Sequence, residues 1–356
     1  MAEQKVFLKN SEIFAAAMIR SGIRYHFAYP ITPASDVMHY TAIHMPAVGG
    51  RMFQPASEIM VISALAGCAC AGKLGVASTS GPGMDLMQET ISFMAAGELP
   101  CILLNNMRVG PGDGDIVGSQ GDYFQATRGG GHGDYRIIVL APASGQEIVE
   151  LMPKSIDLAF RYRTPVLFLM DGTLAQMSES VRLPVPEDLV SKYETDDWAI
   201  TGARGRNKRF LLTGCYNHAQ GEEMNQRLGR KYQEIKEKEQ RWEEIGLEDA
   251  EVVIVAFGLP GRIAREVVQL EREGGQKLGL IRPITLWPFP EKAFLKLHRS
   301  LKSVLVVEMN QGQMIEDVKL AVCCKAPVEF LGKVGGDLPL PKESEIRRSV
   351  EELLKR

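Results

Sequence analysis

Three positions in the sequence place a polar or charged side chain where a predicted strand ends or a predicted helix begins. The segment YHFAYPITP puts Tyr29, Pro30 and Thr32 behind a short apolar run. Glu58 lies at the start of a helix rich in alanine, glycine and cysteine, and Arg108 follows the apolar run CILLNN. Ligands usually bind at the carboxyl ends of strands in open α/β sheets, so these residues are the candidates for a functional site.

Each candidate has a chemical role and a purely structural alternative. A guanidinium group matches a carboxylate through two parallel hydrogen bonds, so Arg108 could hold a carboxylate substrate, or it could pair with Asp113 or Asp115 on the surface. The Glu58 carboxyl could exchange a proton with a base, or it could only complement the helix dipole. Thr32 could contact a ligand, or it could only cap a helix that starts at the next residue, a proline.

Apolar runs that alternate with helix-favouring segments predict the fold that positions these residues. YHFAY, LGVAST, PCILLNN, RIIVLAP and PVLFLM are typical of buried parallel strands. We therefore predict an α/β fold with a doubly wound, mostly parallel sheet over residues 1–215. The highly charged segment 216–248 is predicted to be a solvated connecting helix, and a second α/β unit is predicted over residues 249–356.

Composition excludes several classes of function. The chain has 356 residues and a formal net charge of −3, without a basic stripe that would bind nucleic acid. It has neither a long apolar run that would span a bilayer nor the pattern of a signal peptide, so we expect a cytoplasmic protein. Its six cysteines include no CxxC pair, so we expect no metal or iron–sulfur cluster held by this chain alone.

Blocks of sequence, in order along the chain, resemble the alpha subunit of the 2-oxoacid:ferredoxin oxidoreductases. These blocks are YPITP, QPASEIMVISALAGCACAG, ASTSGPGMDLMQETISFMAAGELP, LLNNMRVGPG and DYFQATRGGGHGDYRIIVLAPAS. Two later segments, IRPITLWPFP and VVEMNQGQM, resemble the family's transketolase C-terminal-like domain. The resemblance covers nearly the whole chain and implies a pyrimidine-binding thiamine-diphosphate domain, 1–215, followed by that second domain, 249–356.

The resemblance also implies roles for the candidate residues. Glu58 stands where the family has the glutamate that activates thiamine diphosphate through a hydrogen bond to the pyrimidine ring. Tyr29 and Pro30 belong to the family's cofactor-binding motif, and Thr32 and Arg108 stand where the family holds the substrate carboxylate.

A GDG segment, Gly112–Gly114, looks like the start of the diphosphate and magnesium motif of thiamine enzymes. That motif needs an asparagine pair further on, and the sequence there reads RIIVLAPAS. Asp113 alone cannot supply an octahedral magnesium site, so we expect the diphosphate and Mg²⁺ to be held by another chain. This agrees with the family, whose beta subunit has that role, although Asp113 itself departs from the family pattern.

The function implied is oxidative decarboxylation of a 2-oxoacid to acyl-CoA and CO₂, with coenzyme A as co-substrate. Electrons would pass through iron–sulfur clusters on partner chains to ferredoxin. The implied partners are a beta subunit, a gamma subunit and a ferredoxin-like iron–sulfur subunit. The segment DYFQATRGGGHGDYR resembles the 2-oxoisovalerate subgroup more than the 2-oxoglutarate subgroup.

Two alternatives stay open at this point. One is a transketolase-like thiamine enzyme half that works without ferredoxin, and the other is a non-catalytic scaffold subunit. The glycine-rich loop Arg128–Asp134 could lie against a cofactor or a partner, with His132 as a candidate to test, or it could be a plain solvated loop. Trp287 and Phe289 are predicted to pack in a core or an interface.

Overall fold

The computed structural model describes residues 4–211, 213–215 and 217–355. The predicted domain limits include residues 1–3, Tyr216 and Arg356. These residues lie outside the described residues. In chain order the described strands are β1 (Gln4–Lys9), β2 (Tyr25–Ala28), β3 (Arg51–Phe53), β4 (Gly75–Thr79), β5 (Cys101–Val109), β6 (Asp115–Gly118), β7 (Ile138–Leu140), β8 (Pro165–Asp171), β9 (Ser178–Leu183), β10 (Trp242–Ile245), β11 (Val252–Val255), β12 (Leu278–Pro283), β13 (Thr285–Trp287), β14 (Ser303–Glu308) and β15 (Val328–Gly332).

Helices separate most of these strands. The described α-helices are α1 (Asn10–Arg20), α2 (Ser35–His44), α3 (Glu58–Cys70), α4 (Pro82–Asp85), α5 (Gln88–Ala96), α6 (Tyr123–Arg128), α7 (Gly145–Tyr162), α8 (Gly172–Gln176), α9 (His218–Lys238), α10 (Gly258–Glu273), α11 (Met314–Val322) and α12 (Glu343–Leu354). Short 3₁₀ turns occur at Pro46–Val48, Val190–Lys192 and Glu291–Lys296.

The first sheet has the strand order β13-β7-β8-β5-β4-β2-β3, with β6 paired to β5. Its strands β7, β8, β5, β4, β2 and β3 are parallel, whereas β13 and β6 pair antiparallel to their neighbours. The middle strands β4 and β8 are buried along their whole length, which explains why they begin with continuous apolar residues rather than an alternating pattern. The predicted α/β class with a mostly parallel sheet is confirmed.

The second sheet has the order β10-β12-β11-β14-β15, in which only β10 is antiparallel among the described strands. The chain leaves this sheet after β12 and adds β13 to the edge of the first sheet beside β7. Trp287, in β13, and Phe289, just after it, are buried in the chain's own core, and the Trp287 ring packs edge-on against Tyr232 of α9.

The segment predicted as one charged helix, 216–248, contains two elements. Helix α9 ends at Lys238 and buries Leu228, Tyr232 and Ile235. Residues Trp242–Ile245 then form β10, so the prediction of helix is wrong there. The reason is long-range: these residues form an antiparallel ladder with β12, which a local charge pattern does not reveal.

A cluster of mostly buried polar residues connects the two sheets. We call this cluster the joint; its residues are Ser119, Gln120, Glu308, Asn310 and Gln313. Gln120 donates to the Phe257 carbonyl (3.0 Å) and accepts from the Met309 amide (3.1 Å). Glu308 accepts from the amides of Met314 (2.8 Å) and Ile315 (3.0 Å) at the start of α11. None of the helices in the described ranges is both long and apolar enough to cross a membrane.

Candidate active site

The candidate residues meet at one edge of the first sheet, where β2, β4 and β5 end and α3 begins. Residues 29–33 follow β2, Thr79–Gly83 end β4 and lead into α4, and Arg108 lies near the end of β5. The parallel pairing of β2 with β4 and of β4 with β5 brings these three segments side by side. Glu58 is the first residue of α3.

The segment after β2 is a turn rather than the start of a helix. The Ala34 amide donates to the Ile31 carbonyl (2.9 Å), and α2 begins at Ser35 after a cis Thr32–Pro33 peptide. The prediction that Thr32 caps the helix is therefore wrong, because this separate turn takes up the residues where capping was expected. Tyr29, Pro30 and Thr32 are all exposed.

Glu58 has a buried carboxylate at the N-terminus of α3. The Ser57 hydroxyl caps this helix by accepting from the Met60 amide (3.4 Å), which fixes Glu58 in the first turn. The Glu58 side chain is 6% exposed, and no other side chain or backbone group in the described ranges forms a hydrogen bond or ion pair with it. A mostly buried carboxylate without a protein partner is free to bind a ligand.

The glycine turn after β4 separates Glu58 from Arg108. A Cβ built on Gly83 would lie 2.7 Å from Glu58 Oε1, and a Cβ built on Gly81 would lie 3.3 Å from Arg108 Cγ. Gly81 has a φ of +38° and donates its amide to Asn105 Oδ1 at 2.9 Å. The absence of a side chain at both glycines thus leaves room for Glu58 and Arg108 to pack against the turn.

Two hydroxyls lie at the end of β4 and in the glycine loop Ser80–Gly83, which the sequence offered as a loop that could lie against a cofactor or partner; neither hydroxyl was predicted as a site residue. Thr79 Oγ1 and Ser80 Oγ are buried, and neither has a hydrogen-bond partner within the described part of the chain. Thr79 Oγ1 lies 2.1 Å from where a Gly83 Cβ would stand, which places it beside Glu58. The run of small hydroxyl residues STS, which ends the buried strand β4 and continues into the turn, was the available signal.

Arg108 is nearly buried and has three hydrogen bonds. Nη1 donates to the Thr32 carbonyl (3.0 Å), and Nη2 donates to the Asp113 carbonyl (2.8 Å) and to Asp113 Oδ1 (2.6 Å). Its Nε is buried and has no partner among the described residues. The structure thus brings Thr32 and Arg108 together, and it realises the alternative in which Arg108 pairs with Asp113.

Asn105 connects the turn to a further carboxylate. Its Nδ2 donates to Asp122 Oδ2 at 2.9 Å, while its Oδ1 accepts from Gly81. Burial raises the pKa of Asp122 to about 6, against the smaller opposing effect of the Asn105 hydrogen bond. The Asn105 side chain therefore links the glycine turn to the Asp122 carboxyl group, whose pKa is about 6.

The glycine-rich loop Arg128–Asp134 packs against α5 through its backbone. The amide of Gly130 donates to Gln88 Oε1 (3.0 Å), and the amide of Gly131 donates to the Tyr135 hydroxyl (3.0 Å). His132 is exposed in this loop. The loop is thus ordered by Gln88 and Tyr135, and a catalytic role for His132 stays a hypothesis.

Comparison with known proteins identifies the class. The family model described as pyruvate flavodoxin/ferredoxin oxidoreductase, thiamine diphosphate-binding, matches residues 16–244, and the model of pyruvate:ferredoxin oxidoreductase core domain II matches residues 250–344. The chain is 42% identical to the ketoisovalerate oxidoreductase subunit VorB of Methanothermobacter marburgensis over 92% of both chains. It is 33% identical to the 2-oxoglutarate synthase subunit KorA of Methanocaldococcus jannaschii, over 95% of this chain and 98% of that one.

Solved structures agree with this class. The 2-oxoglutarate:ferredoxin oxidoreductase of Magnetococcus marinus, determined with 2-oxoglutarate, coenzyme A and succinyl-CoA bound, superposes with a TM-score of 0.87 at 27% identity. The match covers 98% of this chain and 65% of that longer chain. A split-gene transketolase shares the fold, with a TM-score of 0.57 at 14% identity.

The chain belongs to the 2-oxoacid:ferredoxin oxidoreductase family, as its sequence blocks predicted. It is an oxidoreductase subunit, and residues 16–244 match the family's thiamine-diphosphate-binding domain.

Proposed function

We propose that this chain is the alpha subunit of a complex that oxidatively decarboxylates a branched-chain 2-oxoacid of the 2-oxoisovalerate type. The products are an acyl-CoA and CO₂, and the electrons pass to ferredoxin. The higher identity to a ketoisovalerate oxidoreductase subunit, 42% against 33% for a 2-oxoglutarate synthase subunit, favours the branched-chain substrate, with 2-oxoglutarate next. The coenzyme A bound in the related Magnetococcus structure supports its role as acyl acceptor. We place the complex in the cytoplasm.

The observation that carries this proposal is the unpartnered carboxylate of Glu58. Near it lie the buried, unpartnered hydroxyls of Thr79 and Ser80. Polar groups without protein partners could bind the polar edge of an aminopyrimidine ring. Thiamine diphosphate supplies a nucleophilic carbon for attack on a substrate carbonyl. Glu58 would hold the pyrimidine nitrogen and exchange its proton, and Tyr29 and Pro30 would border the cofactor.

Arg108 and Thr32 would hold the substrate. A 2-oxoacid always has a carboxylate beside its reacting carbonyl, and a guanidinium group is the side chain that best matches this anion. Arg108 lies across the glycine turn from Glu58, so substrate and cofactor would be bound on two sides of Gly81–Gly83.

Apolar residues around the site support a partner subunit that covers it. Tyr29, Phe53, Ile59 and Met60 are between 38% and 53% exposed, and two of them directly follow Glu58. Exposed apolar groups clustered beside a functional site are typical of protein interfaces. We propose that a beta subunit docks here and brings the diphosphate and Mg²⁺ half of the cofactor site, while gamma and ferredoxin-like subunits complete the complex.

The proposal is tested by expressing the chain with the subunits encoded beside its gene and assaying the purified complex. We expect reduction of a viologen dye that requires both a 2-oxoacid and coenzyme A. Glu58→Ala should abolish this activity while the complex still assembles in size-exclusion chromatography. Glu89→Ala, which removes an exposed carboxylate from α5, is the matched control and should retain activity.

The outcomes separate the proposal from its alternatives. Carboligation without dye reduction would favour the transketolase-like enzyme half, and an assembled complex without any turnover would favour the scaffold. Wild-type turnover in Glu58→Ala would overturn the role given to Glu58.

A further inference from the structure

The hairpin that follows Arg108 carries an acidic side chain onto the guanidinium group. Asp113 Oδ1 lies 2.6 Å from Arg108 Nη2, and Arg108 pairs with no other carboxylate among the residues described. Arg108 is 8% exposed, whereas Asp113 is 97% exposed. The carboxylate that occupies Arg108 in this structure therefore comes from the solvent side, the side from which a small anionic substrate would arrive.

The backbone of this hairpin keeps Asp113 in place. Strands β5 and β6 pair through Val109 and Asp115, so only five residues form the connection. Gly112 and Gly114 flank Asp113 with φ values of +69° and +63°. A Cβ on Gly114 would lie 1.8 Å from the Val109 carbonyl oxygen, so the tight turn requires glycine there.

A substrate carboxylate bound to Arg108 must displace the Asp113 carboxylate or share the guanidinium with it. In both cases the negative charge of Asp113 remains on the short hairpin beside the site. A substrate with one carboxylate brings one negative charge to Arg108. A dicarboxylic 2-oxoacid brings a second, and its short chain keeps that charge within about one Debye length, roughly 8–10 Å, of Asp113.

We infer that Asp113 is a specificity-determining residue, which occupies Arg108 before substrate binds and disfavours 2-oxoacids that carry a second carboxylate. The inference rests on the proposed function, because it takes Arg108 as the group that holds the substrate carboxylate. It explains in physical terms why a chain of this family could prefer an apolar substrate side chain.

The charge effect has a definite expected size. Repulsion between the exposed Asp113 carboxylate and a second substrate carboxylate at this separation corresponds to about a two- to fivefold discrimination at low ionic strength. Removal of the competing carboxylate should also lower the KM for any 2-oxoacid by about two- to fivefold, which is the usual strength of an exposed ion pair.

The test compares Asp113→Asn with Asp115→Asn in the purified complex. Asparagine at position 113 can still accept the Arg108 hydrogen bond and keep the hairpin, so the variant removes mainly the charge. Asp115 is an exposed carboxylate two residues further on that does not pair with Arg108, so it is a matched control for net charge. The kcat/KM is measured for 2-oxoisovalerate and for 2-oxoglutarate at low salt and at 0.5 M salt. The higher salt concentration screens the interaction between charges.

We expect Asp113→Asn to raise the ratio of kcat/KM for 2-oxoglutarate over that for 2-oxoisovalerate about two- to fivefold. High salt should raise the wild-type ratio towards that of the variant, and Asp115→Asn should leave the ratio close to the wild-type value. An equal loss of activity on both acids would mean that Asp113 only supports the hairpin, and it would overturn the inference while the proposed function stands. A wild-type complex that turns over neither acid would overturn the proposed function and this inference with it.

Discussion

Two regions of the molecule bury polar side chains, and they differ in whether those side chains have partners. At the joint between the two sheets, the polar groups of Ser119, Gln120 and Glu308 bond to backbone groups of the same chain. At the edge of β4 and β5, Glu58, Thr79 and Ser80 have no partners within the described part of the chain. Both regions lie at strand ends, and both are close to fully buried.

This difference separates a structural role from a functional one. A buried polar group costs free energy unless it is hydrogen-bonded, so the joint stabilises the fold only because its groups are satisfied. The groups at the β4–β5 edge bear the same cost without compensation inside the chain. We therefore expect substitutions at the joint to change stability, and substitutions at the edge to change activity.

The largest effect is expected for Glu58→Gln in the assembled complex. The amide keeps the shape of the side chain but cannot exchange a proton, so activity should fall by about 100-fold or more. The urea midpoint of unfolding of the chain should not fall, because the wild-type carboxylate has no partner to lose. Dye reduction and urea unfolding monitored by circular dichroism measure the two quantities. If Glu58→Gln strongly lowered both the stability and the activity, Glu58 would have a structural role like that of the joint residues.

The opposite outcome is expected for Glu308→Ala. Glu308 is completely buried and accepts from three backbone amides around the start of α11 and from Asn310 Nδ2 at 2.8 Å. Its removal leaves these donors unpaired, so the free energy of unfolding should fall by about 3–5 kcal/mol. Urea unfolding measures the change, and Glu316→Ala, an exposed carboxylate on the same helix, is the control. An unchanged midpoint would contradict the assignment of the joint as structural.

Local patterns in the sequence predicted the central strands and indicated where the candidate site would lie. The buried strands β4, β5 and β8 each begin with an apolar run, and Ser57 before Glu58 is an ordinary cap signal, so both could be recognised from neighbouring residues alone. The roles of Glu58 and Arg108 came from the resemblance to a family. Nothing local distinguishes Glu58 from any acidic residue in a first helical turn.

What the sequence could not predict depends on contacts between distant residues or on missing partners. β10 and β13 exist because they pair with β12 and β7, and a segment of three or four residues carries no sign of such a ladder. Thr79 and Ser80 matter because their hydroxyls lack partners, which only the packed structure reveals. A turn at residues 31–34 stands where a helix cap at Thr32 was expected. The Thr-Pro pair is compatible with a turn and with a capped helix start, so the sequence did not distinguish them.

The pH dependence of stability tests the comparison at Asp171, a buried residue that has hydrogen-bond partners within the chain. Asp171 accepts from the amides of Leu174 (2.8 Å) and Leu259 (3.1 Å), and thus connects β8 to α10. Burial raises the pKa of Asp171 from 3.8 to about 6, although these hydrogen bonds oppose the shift.

A carboxyl group with a raised folded-state pKa stabilises the fold below its unfolded pKa and loses this contribution as pH rises through the folded value. The free energy of unfolding of the wild type minus that of Asp171→Asn should therefore fall by about 2–2.5 kcal/mol between pH 4 and pH 7. Urea unfolding at several pH values measures this difference. A relative stability of Asp171→Asn that does not change with pH would contradict the burial argument.

The smallest effect is expected for a pair of buried serines, one from each region. Ser119 Oγ donates to the Met309 carbonyl (3.2 Å) and accepts from the Gly121 amide (3.0 Å), so Ser119→Ala should lower the free energy of unfolding by about 1–2 kcal/mol. Ser80 Oγ is as deeply buried but has no partner among the described residues, so Ser80→Ala should change it by less than about 0.5 kcal/mol. Because both substitutions remove a single hydroxyl from a buried serine, the difference between them isolates the contribution of the hydrogen bonds. A cost for Ser80→Ala equal to that for Ser119→Ala would mean that the two regions are energetically alike, and the unpartnered groups would then no longer indicate a ligand site.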